Sequence, residues 1–344
     1  MTTYKAGIIG CGGRGRAHAE GYLLSSKVEI VACADPIEST RESFARTFGI
    51  SNHYEDYRAM LDGEQLDFVS VCTWTGQHRE MIEAAASSGH IKAIHSEKPM
   101  APSWGDAKAL YRACVDNGVV ITFCHQRRFG AQFIRAKQLL DEGAIGQLQR
   151  VEGACSNLFD WGTHWFDMFF FYNNDTPAEW VMGQIAVEED SQGFGIALET
   201  SGLSWIRWHN GVEGLLATGN AMIQGPRNRL RGSDGTIEIG GRERPPLRIL
   251  RKGADDWENF SDEDLESVVP EGGDTALSVL DLIEAIEEGR EPMLSGRKAL
   301  QATELIFATY ESSRRRGRVL LPLQVDDSAL LTMLETGQID PGRK

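Results

Sequence analysis

The sequence has no long apolar run, and it is short of cations: 35 Lys and Arg stand against 50 Asp and Glu in 344 residues, a formal charge of −15 at pH 7. A membrane-spanning helix needs about 20 consecutive apolar residues, so none is expected. The deficit of cations argues against general electrostatic attraction to nucleic acid or to an anionic membrane surface. The one basic run, Arg314-Arg315-Arg316, falls at the end of a helical pattern, where cations suit the helix dipole. Cysteines are few and scattered (Cys11, Cys33, Cys72, Cys114, Cys124, Cys155), with no C-x-x-C pair and no ligand-like spacing. Neither a disulfide framework nor a metal centre is expected, and the thiols read as reduced and mostly buried. No basic-then-apolar leader precedes the first strand pattern, which makes the cytoplasm the expected location. Internal repeats and low-complexity segments are also missing.

What is present begins with length, which suits two domains. A short apolar strand at 4–9 runs into Gly10-Cys11-Gly12-Gly13-Arg14-Gly15 and then a helix over about 16–24. Gly10, Gly12 and Gly15 have the G-x-G-x-x-G spacing, in which missing side chains let the backbone turn tightly and approach a pyrophosphate at a helix N-terminus. A second strand, 28–34, ends in Asp35, an acid that can accept hydrogen bonds from a ribose diol and would repel a 2′-phosphate. NAD is therefore favoured, with NADP possible because Arg41 lies close enough in sequence to meet a phosphate. Strands at 68–73, 93–96 and 119–124 then alternate with helices at 77–88 and 103–118, the last opened by Ser103 and Asp106 as a capping box. Regular alternation predicts an α/β Rossmann domain, a doubly wound parallel sheet over residues 1–124, with ligands at the carboxyl ends of the strands: Gly10, Asp35, Thr73, Glu97 and His125-Gln126. From 148 onward the patterns change. Strands at 148–155, 196–208, 212–218 and 236–239, then helices at 275–289 and 296–316, predict an α+β domain over 125–321 with a large, open, mostly antiparallel sheet, and a tail over 322–344.

Two stretches carry acid/base chemistry. Glu97-Lys98-Pro99 ends a strand with a carboxylate and an amine. Asp160 and His164 lie four apart, so that on a helix they would share one face and the carboxylate could orient the imidazole. Together with Gly10 to Gly15 and His18, Asp35-Pro36, Thr73 with His78, Arg128-Phe129, the 136–146 run, Asp167 and the 282–292 segment, these pieces resemble the glucose–fructose oxidoreductase / inositol dehydrogenase / MocA-type (Gfo/Idh/MocA) family, in order and over nearly the whole chain.

The resemblance implies an NAD(P)-dependent dehydrogenase or reductase of a sugar, cyclitol or sugar derivative. It implies that Lys98, followed by a cis proline, lies beside the nicotinamide and the reacting hydroxyl, that His164 is the base with Asp160 as its partner, and that Glu97 meets the nicotinamide ribose. Cofactor contacts are expected from Gly10, Gly12, Gly13, Arg14, Gly15, Asp35, Thr73, His78, Glu97, Lys98 and Gln126, and substrate contacts from Lys98, Trp161, His164 and Asp167. The open sheet is implied to make a homodimer or homotetramer. Two departures stand out. Only residues 152–159 separate Val151 from Asp160, where the family commonly has a longer segment forming a substrate wall, so the pocket is expected to be more open or completed by another segment or subunit. Trp74 stands where proline is usual. The same residues also serve two other functions: a redox-neutral enzyme that oxidises a glycoside transiently to cleave it, and a cofactor-bound sensor, against which the intact Lys98, Asp160 and His164 argue.

Overall fold

The computed structural model describes residues 3–222, 225–241, 244–339 and 341. Chain contacts divide it into two compact units, Met1–Gln126 with Glu271–Leu300, and Arg127–Pro270 with Gln301–Lys344. In the first, β1 (Tyr4–Ile9), α1 (Gly13–Leu23), β2 (Val28–Ala34), α2 (Glu38–Phe48), β3 (Asn52–Tyr54), α3 (Tyr57–Gly63), β4 (Phe68–Val71), α4 (His78–Ser87), β5 (Ala93–Ser96), α5 (Trp104–Asp116) and β6 (Val120–Phe123) alternate as expected. The strand order is β3-β2-β1-β4-β5-β6 and every pairing is parallel. All residues of β4 and β5 are buried, as a parallel sheet covered by helices on both faces requires. The order reverses between β1 and β4, and the carboxyl ends there are the ligand-binding crevice of such folds. Ser103 caps α5, its hydroxyl oxygen accepting the Asp106 N–H.

The second unit contains α6 (Ala131–Asp141), β7 (Leu148–Cys155), α7 (Gly162–Tyr172), β8 (Ala178–Ala186), β9 (Gln192–Gly193), β10 (Ile196–Ala197), β11 (Ser201–Trp208), β12 (Glu213–Gly219), β13 (Asn228–Gly232), β14 (Gly235–Ile239), β15 (Leu247–Arg251), β16 (Glu258–Phe260) and α8 (Asp262–Leu265). Nine strands form one sheet, β16-β15-β14-β13-β7-β12-β11-β8-β17, where β17 is Val319–Leu320; β7 and β12 are its parallel pair and the other pairings are antiparallel. In β11 the side chains of Ser204, Ile206 and Trp208 are buried while Leu203 and Trp205 are exposed, the period-two pattern of a sheet with one covered face. The covering helix α7 buries nearly every residue from Gly162 to Tyr172, Thr163, His164 and Asp167 among its aromatic and apolar side chains. The single strand expected at 196–208 is broken at residues 198–200, where the Gly219 turn (φ +56°) crosses so closely that a Cβ on Gly219 would lie 1.9 Å from the Thr200 carbonyl oxygen.

The domain ranges read from sequence differ from the compact units. Residues 271–300 pack with the first unit through α9 (Asp274–Glu288), whose Val279, Leu282 and Ile283 join the core formed by Ala6, Ile8, Ala19 and Tyr22. Gly21 of α1 makes this possible, since a Cβ there would lie 2.7 Å from the Val279 Cβ. The segment 322–344 is not a separate piece either. After α10 (Gly296–Arg315) and β17, α11 (Ala329–Glu335) buries Ala329, Leu330 and Met333 in the second unit. Among the described residues no helix is long and apolar enough to cross a membrane.

Candidate active site

The turn after β1 is shaped by its glycines. Gly10 has φ +93°, and a Cβ there would lie 2.6 Å from the Cys72 carbonyl oxygen; a Cβ on Gly15 would lie 2.1 Å from the Gly10 oxygen. Both positions are closed to any side chain. Gly12 and Gly13 differ, because a Cβ on either meets nothing within 4 Å. Gly12 caps α1 with no side-chain hydrogen bond, so the first-turn amides and the positive end of the helix dipole face open space suited to an anion. Half-buried Asp35 ties this turn to β2, its Oδ2 accepting the Cys11 N–H at 2.8 Å and its Oδ1 the Ile37 N–H at 2.9 Å. Arg41 is 9% exposed and donates to the Asp35 backbone oxygen at 2.6 Å. An open glycine cradle at a helix start, beside an acid at the end of β2, fits a dinucleotide with an unmodified ribose.

At the end of β5, Glu97 is buried and its Oε1 receives Arg14 Nε at 2.6 Å and lies 3.1 Å from His18 Nε2. Burial opposes ionisation there, but the His18 hydrogen bond and the Arg14 charge outweigh it and hold the carboxyl well below the usual carboxylate range. Arg14 also donates to Thr275 Oγ1 at 3.0 Å. The His18 ring lies 4.6 Å from that of His95, whose basicity burial drives far down. His18, His95 and Cys124 place ligand-type atoms within 4.8 Å of one another. All four ring nitrogens are already matched, to Ser70, Glu97, Thr122 and Ser278, so we read a satisfied polar network. Lys98 follows, half-buried, and its bond to Pro99 is cis as expected.

His78, expected among the cofactor contacts, is fully buried. Its Nδ1 lies 3.0 Å from Pro99 O and its Nε2 3.1 Å from Thr73 O, and burial lowers its basicity. Its ring lies between the loop after β4 and the loop carrying Lys98. Thr73 is half-buried and donates to Met81 Sδ at 3.4 Å. Gln126 opens a short 3₁₀ turn after β6, with Oε1 3.9 Å from the Cys124 thiol, which burial pushes up to about 12. Trp74 is 65% exposed.

In the second unit Asp160 is not on a helix. It lies in a turn before Trp161, the N-cap of α7, and His164 occupies the first helical turn, 4% exposed. The shared helix face read from the spacing is replaced by a capped turn: Asn157 Oδ1 accepts the N–H groups of Asp160 (2.7 Å) and Trp161 (3.1 Å), and Asn157 O accepts that of Gly162 (2.8 Å). Sequence reasoning missed Asn157, although an asparagine shortly before an apolar helix is a capping signal. β7 runs to Cys155 as expected, which leaves residues 156–159 between it and Asp160. Trp161 is 43% exposed, with the Arg127 guanidinium 5.8 Å from its ring centre, whereas Trp165 is core, 6.0 Å from Phe133.

Asp167, expected among the substrate contacts, pairs with Arg128. It is 1% exposed and takes a two-pronged bond from the equally buried Arg128, Nε to Oδ2 and Nη2 to Oδ1, both at 2.9 Å. Arg128 also binds Asp175 at 3.0 Å. Burial opposes the arginine's charge, but the two carboxylates outweigh it and push its basicity further up. A carboxylate so enclosed holds α7 to the residues before α6.

Comparison with known proteins agrees with this geometry. A model described as the oxidoreductase family, NAD-binding Rossmann fold, matches residues 4–125, and one described as the oxidoreductase family, C-terminal alpha/beta domain, matches residues 149–321. D-apiose dehydrogenase of Paraburkholderia graminis is 26% identical over 98% of this chain and 94% of its own. scyllo-Inositol 2-dehydrogenase (NAD(+)) of Bacillus subtilis is 32% identical over 42% of each chain. The solved levoglucosan dehydrogenase in complex with NADH and levoglucosan superposes with a TM-score of 0.79 at 22% identity, covering 94% of this chain and 100% of that one. Both units are thus accounted for in one order along the chain, and the protein belongs to the Gfo/Idh/MocA oxidoreductase family, with an NAD-binding Rossmann domain followed by that family's C-terminal domain.

Proposed function

We propose that this protein moves a hydride between nicotinamide and a secondary alcohol of a sugar, cyclitol or sugar derivative, with Lys98 and His164 as its acid/base groups. The observation that carries the reading is Lys98 at the carboxyl end of β5, in the unit that also holds the open glycine cradle. The chain also matches the family of apiose, inositol and levoglucosan dehydrogenases. Bound nicotinamide supplies the hydride acceptor. His164 takes a proton from the substrate hydroxyl, Asp160 orients the imidazole, and Lys98 is a hydrogen-bond donor to substrate. Trp161 offers an exposed ring to the C–H face of the substrate. Gly10, Gly12, Gly13, Arg14, Gly15, Asp35, Thr73, Glu97, Lys98 and Gln126 line the cofactor side, and the deployment of Asp35 and Arg41 favours NAD. Copies pair as dimers or tetramers through the open sheet, a reading supported by Met182, Leu203 and Trp205, each at least 40% exposed there. Six free thiols suit the reducing cytoplasm.

The test is NADH formation with D-apiose, levoglucosan, scyllo-inositol and myo-inositol. Net NADH from at least one supports the reading. Product release without net NADH, from protein that purifies with NAD, would transfer it to redox-neutral glycoside cleavage. No turnover of the panel with NAD or NADP, in either direction, overturns it.

A further inference from the structure

The second unit buries an acid that none of these roles uses. Glu199, in the break between β10 and β11, is 2% exposed. One carboxylate oxygen accepts the backbone N–H of Leu158, and the other accepts the hydroxyl of Tyr310 at 2.7 Å. Tyr310, on α10, is itself 1% exposed. Removing a carboxyl from water is costly unless hydrogen bonds replace the lost solvation, and an apolar side chain would fill such a site more cheaply. The role of Glu199 is therefore to be sought in what it holds. Leu158 belongs to the turn that runs from Asn157 to Trp161, carries Asp160 and opens α7 with its His164.

We propose that Glu199 is a positioning residue: its buried carboxyl, steadied by the Tyr310 hydroxyl, holds the Leu158 amide and so fixes where Asp160 and His164 stand. The rest of the turn is anchored to agree with this. Asn157 gathers the Asp160 and Trp161 amides from within. Gly202 leaves room for the Leu158 side chain, a Cβ there falling 2.7 Å from Leu158 Cδ1, and Phe159 meets Phe307 edge-on at 6.4 Å. The backbone beside Glu199 is fixed in turn, with Thr200 N–H bonded to Ala186 O at 2.9 Å and the Gly219 turn pressed against its carbonyl. Burial pushes the Glu199 carboxyl up to about 7, so the neutral form is well populated near neutral pH. A glutamine imitates that form, accepting the Leu158 N–H with its oxygen and donating to Tyr310 with its nitrogen.

The inference rests on the proposed roles of Asp160 and His164, so its test includes a readout that needs neither. Full-length Glu199→Leu, Glu199→Gln, Tyr310→Phe and His164→Ala are compared with the unmodified protein. Amide exchange of peptides covering residues 156–164 is read without ligands, together with NADH binding and turnover of the fastest of the four polyols. Losing the brace at Leu158 is expected to raise exchange in that peptide about tenfold or more in Glu199→Leu, the equivalent of roughly one net hydrogen bond. Turnover falls by a similar factor while NADH affinity stays within about twofold, and glutamine restores both. Tyr310→Phe shifts them in the same direction by less, and it carries the test should Glu199→Leu fail to fold. Unaltered exchange and turnover in a folded Glu199→Leu, or in Tyr310→Phe where that stands in for it, overturns the proposal, as does a folded Glu199→Gln no better than leucine. If His164→Ala keeps its turnover, the assignment of the base fails, and the exchange result still decides whether Glu199 holds the turn.

Discussion

At the end of β5, Glu97 and Lys98 leave a strand whose four residues are all buried between parallel neighbours, whereas Asp160 and His164 stand on a turn and the first turn of a helix. The first pair takes its position from sheet register, reinforced by the buried His78 ring packed between the Pro99 and Thr73 carbonyls. The second takes its position from side chains contributed singly, Asn157, Glu199 and the Arg128–Asp167 pair. A repeated architecture delivers groups to one edge as a by-product of its repeat; a turn needs a separate support for each residue it presents. The first unit should therefore tolerate loss of any one support better than the second.

Loss of the group that the strand delivers should have the largest effect. Lys98→Ala is expected to lower kcat by about 10²–10⁴-fold, and Lys98→Met equally, because the donor to the substrate oxygen is gone; steady-state rates on the oxidised polyol check this. On the turn side, Arg128→Ala leaves the buried Asp167 carboxylate without its cation and should cost about 3–5 kcal/mol of stability, read by urea unfolding. A loss below about 1 kcal/mol would show that the second unit does not depend on its single supports.

The cradle offers a finer comparison. A methyl group on Gly12 meets no protein atom, and its φ of −75° suits alanine, so Gly12→Ala should keep its stability while its NAD affinity drops about tenfold by calorimetry. Gly15→Ala, with its Cβ 2.1 Å from the Gly10 oxygen, should instead unfold more easily.

The smallest effect concerns Glu199. Burial raises its pKa from the ordinary 4.5 to about 7, so the folded chain holds a proton that the unfolded chain releases between those values. Its contribution favours folding below that window and is lost as pH rises through it. Tyr310 and Cys155, which face it, are pushed upward and keep their protons across this range. Glu199→Gln should therefore flatten the fall in stability between about pH 5 and about pH 7.5, measured as urea midpoints.

How much of this was legible in the sequence follows the same division. The βα alternation, the glycine turn, Asp35 and the strand-end Lys98 were readable because each is a local pattern whose placement the parallel sheet dictates. The open, mostly antiparallel second sheet was readable from alternation, though its break at residues 198–200 was not. The return of α9 to the first unit was hidden, since it depends on the missing side chain of Gly21 accepting Val279 from far along the chain. The pairing of Asp167 was hidden for a related reason: its partner Arg128 lies 39 residues away. Glu199 was invisible, with partners 41 and 111 residues distant and no motif of its own.

The central claim is that an imidazole on that singly supported turn performs the proton transfer. Its most direct test is His164→Ala, with turnover of the oxidised polyol and NADH binding measured on the same preparation. The account predicts kcat lowered by about 10²–10⁴-fold with NADH affinity unchanged. Turnover within about twofold of the unmodified protein would contradict it.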